Sequence, residues 1–252
     1  MRRKVLMIAS NMGLWAEELQ APWDALKKAG HELTLATRSG KTPLPMALSM
    51  DPNFIDPMQG YNVNPKEVVD RVNEILDMGD WGRPIKIEEA KMEDYDAIVI
   101  VGGPGAPLDI TGNANVHRLL VGAYKDDKPI GALCYAVGAL VWARQPDDIG
   151  KSIIWGKKVV AHPREWDFTG DLPYNLVRTS PDNPDVTIVT PGFVYPLWPI
   201  VKDAVGPNGE VYSDPTANRQ KPQVMYDAPF VTGLSVESSI AFGQKLVEVL
   251  SK

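Results

Sequence analysis

Short apolar runs rich in β-branched residues alternate along this chain with segments of helical periodicity. KVLMIAS and HELTLAT flank the helix-like APWDALKKAG, and the rhythm returns from YDAIVIVGG through NVHRLLVGAYKDD and KPIGALC to YAVGALVWAR. Such alternation is typical of βαβ units, whose strands are parallel and covered on both faces by helices. The sequence therefore predicts an α/β fold of three layers built on a mostly parallel, doubly wound sheet.

Two stretches interrupt this rhythm, residues 41–90 and residues 163–222. The first is rich in Pro, Met, Asn and Asp and contains one amphipathic helix, PKEVVDRVNEILDM, whereas the second carries many prolines and aromatic residues. Both are too long for plain connections, so we expect cap-like insertions that form a wall or small cap. No repeat or linker divides the chain, which predicts a single domain over residues 1–252.

The composition excludes several classes of partner. The 252 residues are 44% hydrophobic and carry a net charge of −6 without a Lys/Arg-rich run, so nothing favours nucleic acid or an anionic membrane. The apolar part of MRRKVLMIAS is too short for a secretory signal, and no apolar run approaches the roughly 18 residues of a membrane helix. We expect a cytoplasmic protein that acts on a small molecule and keeps its thiol reduced.

The only cysteine, Cys134, stands between the strand-like IGAL and the helix-like YAVGALVWA. Ligands bind parallel sheets beyond the carboxyl ends of the strands, which is where this residue falls. Small residues after it, such as Ala136 and Gly138, suit a nucleophile elbow, and a helix N-terminus would lower the pKa of the thiol without any metal. A buried cysteine that fills space is the alternative, and this stretch alone does not decide between them.

A glycine pair, Gly102 and Gly103, follows the buried strand in IVIVGGPGAP. The N–H groups of such a turn can point at an anionic oxygen, as an oxyanion hole requires, although a plain tight turn uses the same residues. The spacing matches neither a G-x-G-x-x-G dinucleotide site nor a P-loop, so we expect no nucleotide cofactor.

Acid and base candidates come from two other segments. Glu17 and Glu18 precede Pro22, and we place both on the loop before the helix APWDALKKAG, at the sheet edge that carries Cys134. Either carboxylate can exchange a proton with the thiol, although for Glu17 we prefer a simple interaction with the helix dipole. His162, in KKVVAHP, is the one histidine placed to serve as imidazole base, with a structural role as the alternative.

Taken together, these residues resemble the ThiJ/PfpI superfamily, whose fold is the flavodoxin-like fold of class I glutamine amidotransferases. The resemblance covers most of the chain outside the two insertions and is carried by VLMIASNMGLWAEELQAPWDALKKAGHELTLAT, DYDAIVIVGGPGA, KPIGALCYAVGALV, GKKVVAHP and PFVTGLSVESSIAFGQKLVEVL. The length, residues 41–90 and the ending KPQVMYDAPFVTG are most similar to the larger branch that contains glyoxalase III enzymes and holding chaperones. The resemblance also implies a homo-oligomer, such as a dimer.

The resemblance assigns roles by position. It implies that Cys134 is the elbow nucleophile, that Glu18 contacts its thiol, and that Gly102 and Gly103 are the family's glycine pair. The N–H groups of Gly103 and Tyr135 would then form the oxyanion site.

One departure concerns the base. Members with a Cys-His-Glu/Asp triad carry histidine directly after the cysteine, where this chain has Tyr135. Tyrosine is a poor base because its unperturbed pKa is about 10. What remains is a pair of Cys134 and Glu18, with His162 as the candidate substitute for the missing imidazole.

These features predict a cofactor-independent, cysteine-dependent enzyme that acts on a small carbonyl, amide or related electrophile. It would be a hydrolase, a hydratase or a glyoxalase III-like lyase. The alternative is a stress-response redox sensor or holding chaperone that uses the same cysteine. An inactive scaffold is the third reading, and the substrate is not identified by the sequence.

Overall fold

A computed structural model describes residues 1–57, 59–167, 171–175, 187–191 and 195–252. The strands are β1 (Lys4–Ile8), β2 (Glu32–Thr37), β3 (Ile85–Lys86), β4 (Ala97–Ile100), β5 (Ile130–Leu133), β6 (Lys158–Val160), β7 (Asp171–Asn175), β8 (Thr187–Pro191), β9 (Glu210–Tyr212), β10 (Val224–Asp227) and β11 (Phe230–Gly233). The helices are α1 (Ala16–Lys28), α2 (Lys66–Met78), α3 (Ala106–Asp109), α4 (Ala114–Lys125), α5 (Val137–Trp142), α6 (Arg164–Asp167), α7 (Leu197–Val205) and α8 (Ser239–Leu250).

Seven strands form one sheet in the order β10-β11-β5-β4-β1-β2-β3. Six of them run parallel, and β10 at one edge pairs antiparallel with β11. Helices lie on both sides of this sheet. The predicted α/β fold with a mostly parallel, doubly wound sheet is therefore confirmed.

The core lies on both faces of the central strands, because β4, β5 and β11 are buried along their whole length. This explains why their sequences are continuous apolar runs rather than alternating ones. The helices α1 and α2 have 13 residues each. In the described ranges no helix is both long and apolar enough to cross a membrane.

Helix α1 corrects one prediction. It begins at Ala16, so Glu17 and Glu18 lie in its first turn and not on a preceding loop, and Pro22 lies inside the helix. Proline removes one backbone hydrogen bond from a helix interior. For this reason the sequence predicts that the helix begins near Pro22 and not at Ala16. Tertiary packing outweighs this loss, since Leu19 and Trp23 bury one face of α1 in the core.

The first insertion, residues 41–90, contributes to both the sheet and the region around α1. The predicted helix is present as α2, and β3 extends the sheet at its edge. Met46 donates its N–H to the Leu14 carbonyl at 2.9 Å, and the Ser49 hydroxyl accepts from the Ala16 N–H at 3.1 Å. This insertion therefore packs where α1 begins.

The second insertion, residues 163–222, lies partly outside the described residues. Its described part contains α6, the antiparallel pair of β7 and β8, helix α7 and strand β9. Strand β9 pairs with β6 in a separate two-stranded sheet, so the strand that follows the elbow helix does not extend the seven-stranded sheet.

Candidate active site

The chain turns sharply at Cys134, directly after β5. This residue opens a single 3₁₀ turn, Cys134–Ala136, which leads into α5. Its φ is +57°, in the left-handed region, and among the described non-glycine residues only Asp127 shares a positive φ. Such a conformation is strained for a residue with a side chain and persists only where the surroundings impose it. The sequence therefore forms the predicted strand-to-helix elbow, with Cys134 at its turn.

The thiol of Cys134 lies in a buried polar environment and is 4% exposed. The Ser235 hydroxyl donates to Sγ at 3.6 Å. The backbone N–H groups of Gly103 and Tyr135 also interact with the sulfur. These are the two amides that the sequence predicts for the oxyanion site, and the fold brings both to the same atom.

Burial raises the pKa of the Cys134 thiol, and the negative charge of Glu18 raises it further. The Ser235 hydroxyl and the two backbone N–H groups lower the pKa, but by less. This direction is opposite to the lowered thiol pKa expected from the sequence, because burial and the Glu18 charge outweigh the hydrogen bonds to the sulfur. A reactive thiolate therefore depends on a neighbour that handles its proton.

Glu18 is the carboxyl that interacts with the Cys134 thiol. It is 1% exposed, and burial raises its pKa well above the usual range, with the charges of Glu237 and Glu17 adding to the effect. The Cys134 thiol and the Gly102 N–H interact with the carboxyl and lower its pKa by less. Buried groups this close titrate as a pair, so ionisation of the thiol and ionisation of the carboxyl are coupled.

The glycine turn after β4 lies very close to the loop that follows β1. Gly103 has a φ of +112°, and a β-carbon there would lie 2.3 Å from the Gly13 carbonyl oxygen. A β-carbon on Gly105 would meet the Met12 carbonyl carbon at 2.2 Å. Only glycine fits these positions, which bring the turn against the loop that follows β1.

His162 reaches the site through the side chain of Tyr135. The Tyr135 hydroxyl lies 3.4 Å from His162 Nδ1, and the two ring centroids are 4.9 Å apart. The ring centroids of His162 and Trp166 are 5.1 Å apart, and the two ring planes make an angle of 78°. The structure thus brings the histidine to the residue beside Cys134, and its role as a base stays a prediction.

Ser235 and Glu237, on the loop after β11, lie at the site and were not predicted. Glu237 Oε1 accepts from the Ser238 hydroxyl at 2.6 Å and from the Ser235 N–H at 3.2 Å. The signal was available in the sequence, because the segment SVES follows β11 at the carboxyl edge of the sheet.

A buried ion pair closes the site on the side of α1. Arg219 Nη1 donates to Glu17 Oε1 at 2.7 Å, Nη2 bonds Glu17 Oε2, and Nη2 also donates to the Val63 carbonyl at 2.5 Å. Burial raises the pKa of Glu17, and the guanidinium lowers it by less. The pair joins both insertions to α1.

In the part of the chain that is described, no group of three His, Cys, Asp or Glu side chains is placed to hold a metal ion.

Comparison with known proteins identifies the family of the chain. The family model described as DJ-1/PfpI family matches residues 3–145, more than half of the chain. The chain is 28% identical over 228 residues to a Bos taurus glutamine amidotransferase-like class 1 domain-containing protein 1, covering 88% of this chain and 82% of the relative. It is 25% identical over 186 residues to the glutathione-independent glyoxalase hsp3101 of Schizosaccharomyces pombe, covering 67% and 69%.

Among solved structures, glyoxalase III from Candida albicans superposes with a TM-score of 0.71 at 17% identity, covering 98% of this chain and 97% of that one. At this identity the likeness concerns the fold. The resemblance stated from the sequence is confirmed, and the chain belongs to the DJ-1/PfpI family.

Proposed function

We propose that this protein is a cysteine-dependent enzyme for small electrophilic carbonyl compounds, foremost 2-oxoaldehydes. The observation that carries the proposal is the elbow residue Cys134, whose thiol faces the buried carboxyl of Glu18 and the amides of Gly103 and Tyr135. The relatives named as glyoxalases support a carbonyl substrate.

In this mechanism the ionised thiol of Cys134 attacks the aldehyde carbon. A C–S bond forms, the π electrons of the C=O bond move to oxygen, and the Gly103 and Tyr135 N–H groups stabilise that charge. Glu18 donates its proton to the oxygen and becomes a carboxylate. The product of this step is a hemithioacetal on Cys134.

Glu18 then acts as a base toward the hemithioacetal. It takes the proton from C1 and returns it to C2, while the hydroxyl proton moves from the first oxygen to the second, which leaves a thioester of a 2-hydroxy acid. Water, deprotonated by the Glu18 carboxylate, cleaves the thioester. The release regenerates the thiolate and protonated Glu18, so the sum is 2-oxoaldehyde plus water to 2-hydroxy acid, with no external oxidant or reductant.

The test is turnover of methylglyoxal, glyoxal, phenylglyoxal, an aryl ester and an aryl amide, with the acid products identified. We expect the wild type to convert 2-oxoaldehydes without glutathione, Cys134→Ala to lose the activity, and Glu18→Gln to lose at least about 100-fold. Glu88→Gln, which changes an exposed carboxylate with a 62% exposed side chain, is the matched control and should retain full activity. Turnover by Cys134→Ala, or none by the wild type, overturns the proposal.

A second candidate function is redox sensing at the same cysteine. It is favoured by Oε2 of Glu18, which is buried and has no hydrogen-bond partner. A protonated carboxyl at this place, next to Cys134, can donate a hydrogen bond to a sulfinate oxygen. Mass spectrometry after mild peroxide treatment separates the two. Stoichiometric oxygen addition at Cys134 in a protein without carbonyl turnover favours sensing, whereas turnover with slow oxidation favours the enzyme.

A further inference from the structure

The loop after β11 brings a second buried carboxylate, Glu237, to the site. Its side chain is 3% exposed, yet three donors reach it, since the Gln59 amide approaches Oε2 at 3.5 Å in addition to the Ser235 and Ser238 bonds on Oε1. Donors of this kind stabilise the charged form of a carboxyl. Glu18, by contrast, has an Oε2 without a hydrogen-bond partner. Of the two carboxyls, Glu237 is the one equipped to hold a negative charge.

Ser235 connects Glu237 to the nucleophile. Its N–H donates to Glu237 Oε1, and its hydroxyl donates to Cys134 Sγ. Without the carboxylate oxygen, this buried N–H would lose its acceptor, and the backbone would have to turn to find another. Glu237 therefore fixes the direction in which the Ser235 hydroxyl points.

The charged neighbours of Glu237 favour its ionisation. Burial raises the pKa of Glu237 above its usual value, and Ser238, His162 and the Ser235 N–H offset part of that rise. Glu237 in turn raises the pKa of Arg219, and it contributes to a Tyr61 pKa that is raised, mainly by burial, to about 12. It therefore faces the cationic guanidinium of Arg219 and the neutral phenol of Tyr61.

The groups that face Glu18 are the Cys134 thiol, the Gly102 N–H, Glu17 and Glu237. The charge of Glu17 is paired with Arg219, whereas that of Glu237 acts on Glu18 more strongly. Two buried carboxyls in one site do not both ionise readily, and the one with fewer donors retains the proton.

We propose that Glu237 is a positioning residue of the Cys134 site, which sets the Ser235 hydroxyl against the thiol and, as the charged member of a carboxylate pair, keeps the proton on Glu18. The inference rests on the proposed function in that Cys134 is the reacting group. It adds to the site a residue that acts on Cys134 through Ser235 and Glu18.

The test is the rate of Cys134 alkylation by iodoacetamide between about pH 5 and 10, which needs no substrate turnover. Glu237→Gln keeps Oε1 as acceptor for Ser235 and Ser238, and its new amide can donate to Gln59 Oε1, which lacks a partner in the wild type. This variant is therefore expected to fold, which circular dichroism and thermal unfolding check.

In Glu237→Gln we expect the lower limb of the alkylation profile to move up by about 1 pH unit, because Glu18 loses its proton more readily without that charge and its carboxylate then raises the pKa of the thiol. Ser235→Ala should also slow alkylation at neutral pH, by roughly three- to tenfold, since the thiolate loses one donor. Glu88→Gln should superimpose on the wild type.

A Glu237→Gln profile that superimposes on the wild type, or moves to lower pH, overturns the inference. Because alkylation is independent of carbonyl chemistry, a wild type without turnover would refute the proposed function while the upward shift still supported the role of Glu237.

Discussion

Gly102 leaves open the space that the Glu18 carboxyl occupies. A β-carbon at residue 102 would stand 2.7 Å from Glu18 Oε2, 2.6 Å from the Leu133 carbonyl oxygen and 2.8 Å from Cys134 Cβ. Real β-carbons do not approach other atoms this closely, so the glycine after β4 sets how near the carboxyl comes to the thiol.

Gly102→Ala is therefore expected to displace Glu18 or the elbow. We expect carbonyl turnover to fall by at least about 100-fold and the free energy of unfolding to fall by about 1–3 kcal/mol. Gly112→Ala is the matched control, because a β-carbon there meets nothing within 4 Å. Activity assays and urea unfolding of both variants check this, and equal behaviour of the two would show that Gly102 is not spatially constrained.

Arg219→Met should leave the buried charge of Glu17 without its partner. We expect a loss of about 3–5 kcal/mol in the free energy of unfolding, much of it recovered in the double variant Glu17→Gln/Arg219→Met. The exposed pair of Lys66 and Asp70, with side chains 74% and 58% exposed, is the contrast, and Lys66→Met should cost about 0.5 kcal/mol or less. Additive effects at Glu17 and Arg219 would contradict the coupling.

The stability of the protein should also depend on Asp109 at mildly acidic pH. Its carboxylate accepts from the Ser10 hydroxyl at 2.6 Å and the Asn11 N–H at 2.8 Å, and burial raises its pKa from 3.8 to about 6. Because the pKa in the folded state is the higher one, the folded protein binds this proton more tightly. The contribution is complete below about pH 4 and is lost as the pH rises through about 6.

A shift of about two pKa units corresponds to about 3 kcal/mol in the free energy of unfolding. The measurement is urea unfolding of the wild type and Asp109→Asn at several values between about pH 4 and 8. The wild type should lose stability relative to the variant as the pH rises through this window, and a constant difference would show that Asp109 does not titrate there.

Tyr135→Phe tests which part of Tyr135 serves the thiol. The backbone N–H interacts with the sulfur, whereas the ring hydroxyl faces His162 at 3.4 Å. We therefore expect the alkylation rate of Cys134 to stay within about twofold at neutral pH, with a stability loss of about 1 kcal/mol or less. A tenfold slower alkylation would instead assign the hydroxyl a part in activating the thiol.

Local sequence patterns were sufficient for the sheet, the helix α2 and the elbow. Apolar runs define β4 and β5, and the periodicity of PKEVVDRVNEILDM defines Lys66–Met78. The glycine turn and Cys134 follow from their place at the ends of buried strands. These features depend on neighbours along the chain, which a sequence displays directly.

The rest of the site depends on contacts between distant residues. Ser235 and Cys134 are 101 residues apart, and Arg219 and Glu17 are 202 apart. The place of Ser235 after β11 indicates only the correct edge of the sheet, and no local pattern indicates which residues make either contact. The raised pKa of the thiol likewise follows from burial in the folded core, and the motif suggested the opposite. Packing against the core also allows α1 to include Pro22, so Glu18 lies in the first turn of this helix and not on the predicted loop.

The contact between Arg219 and Glu17 has a consequence for how the protein is made. Contacts across such a separation close large loops and form late, after the local units have folded. Ser235 and Glu237 lie beyond residue 219 in the chain, so the buried surroundings of Cys134 and Glu18 are complete only when the last part of the chain has packed against α1 and the elbow.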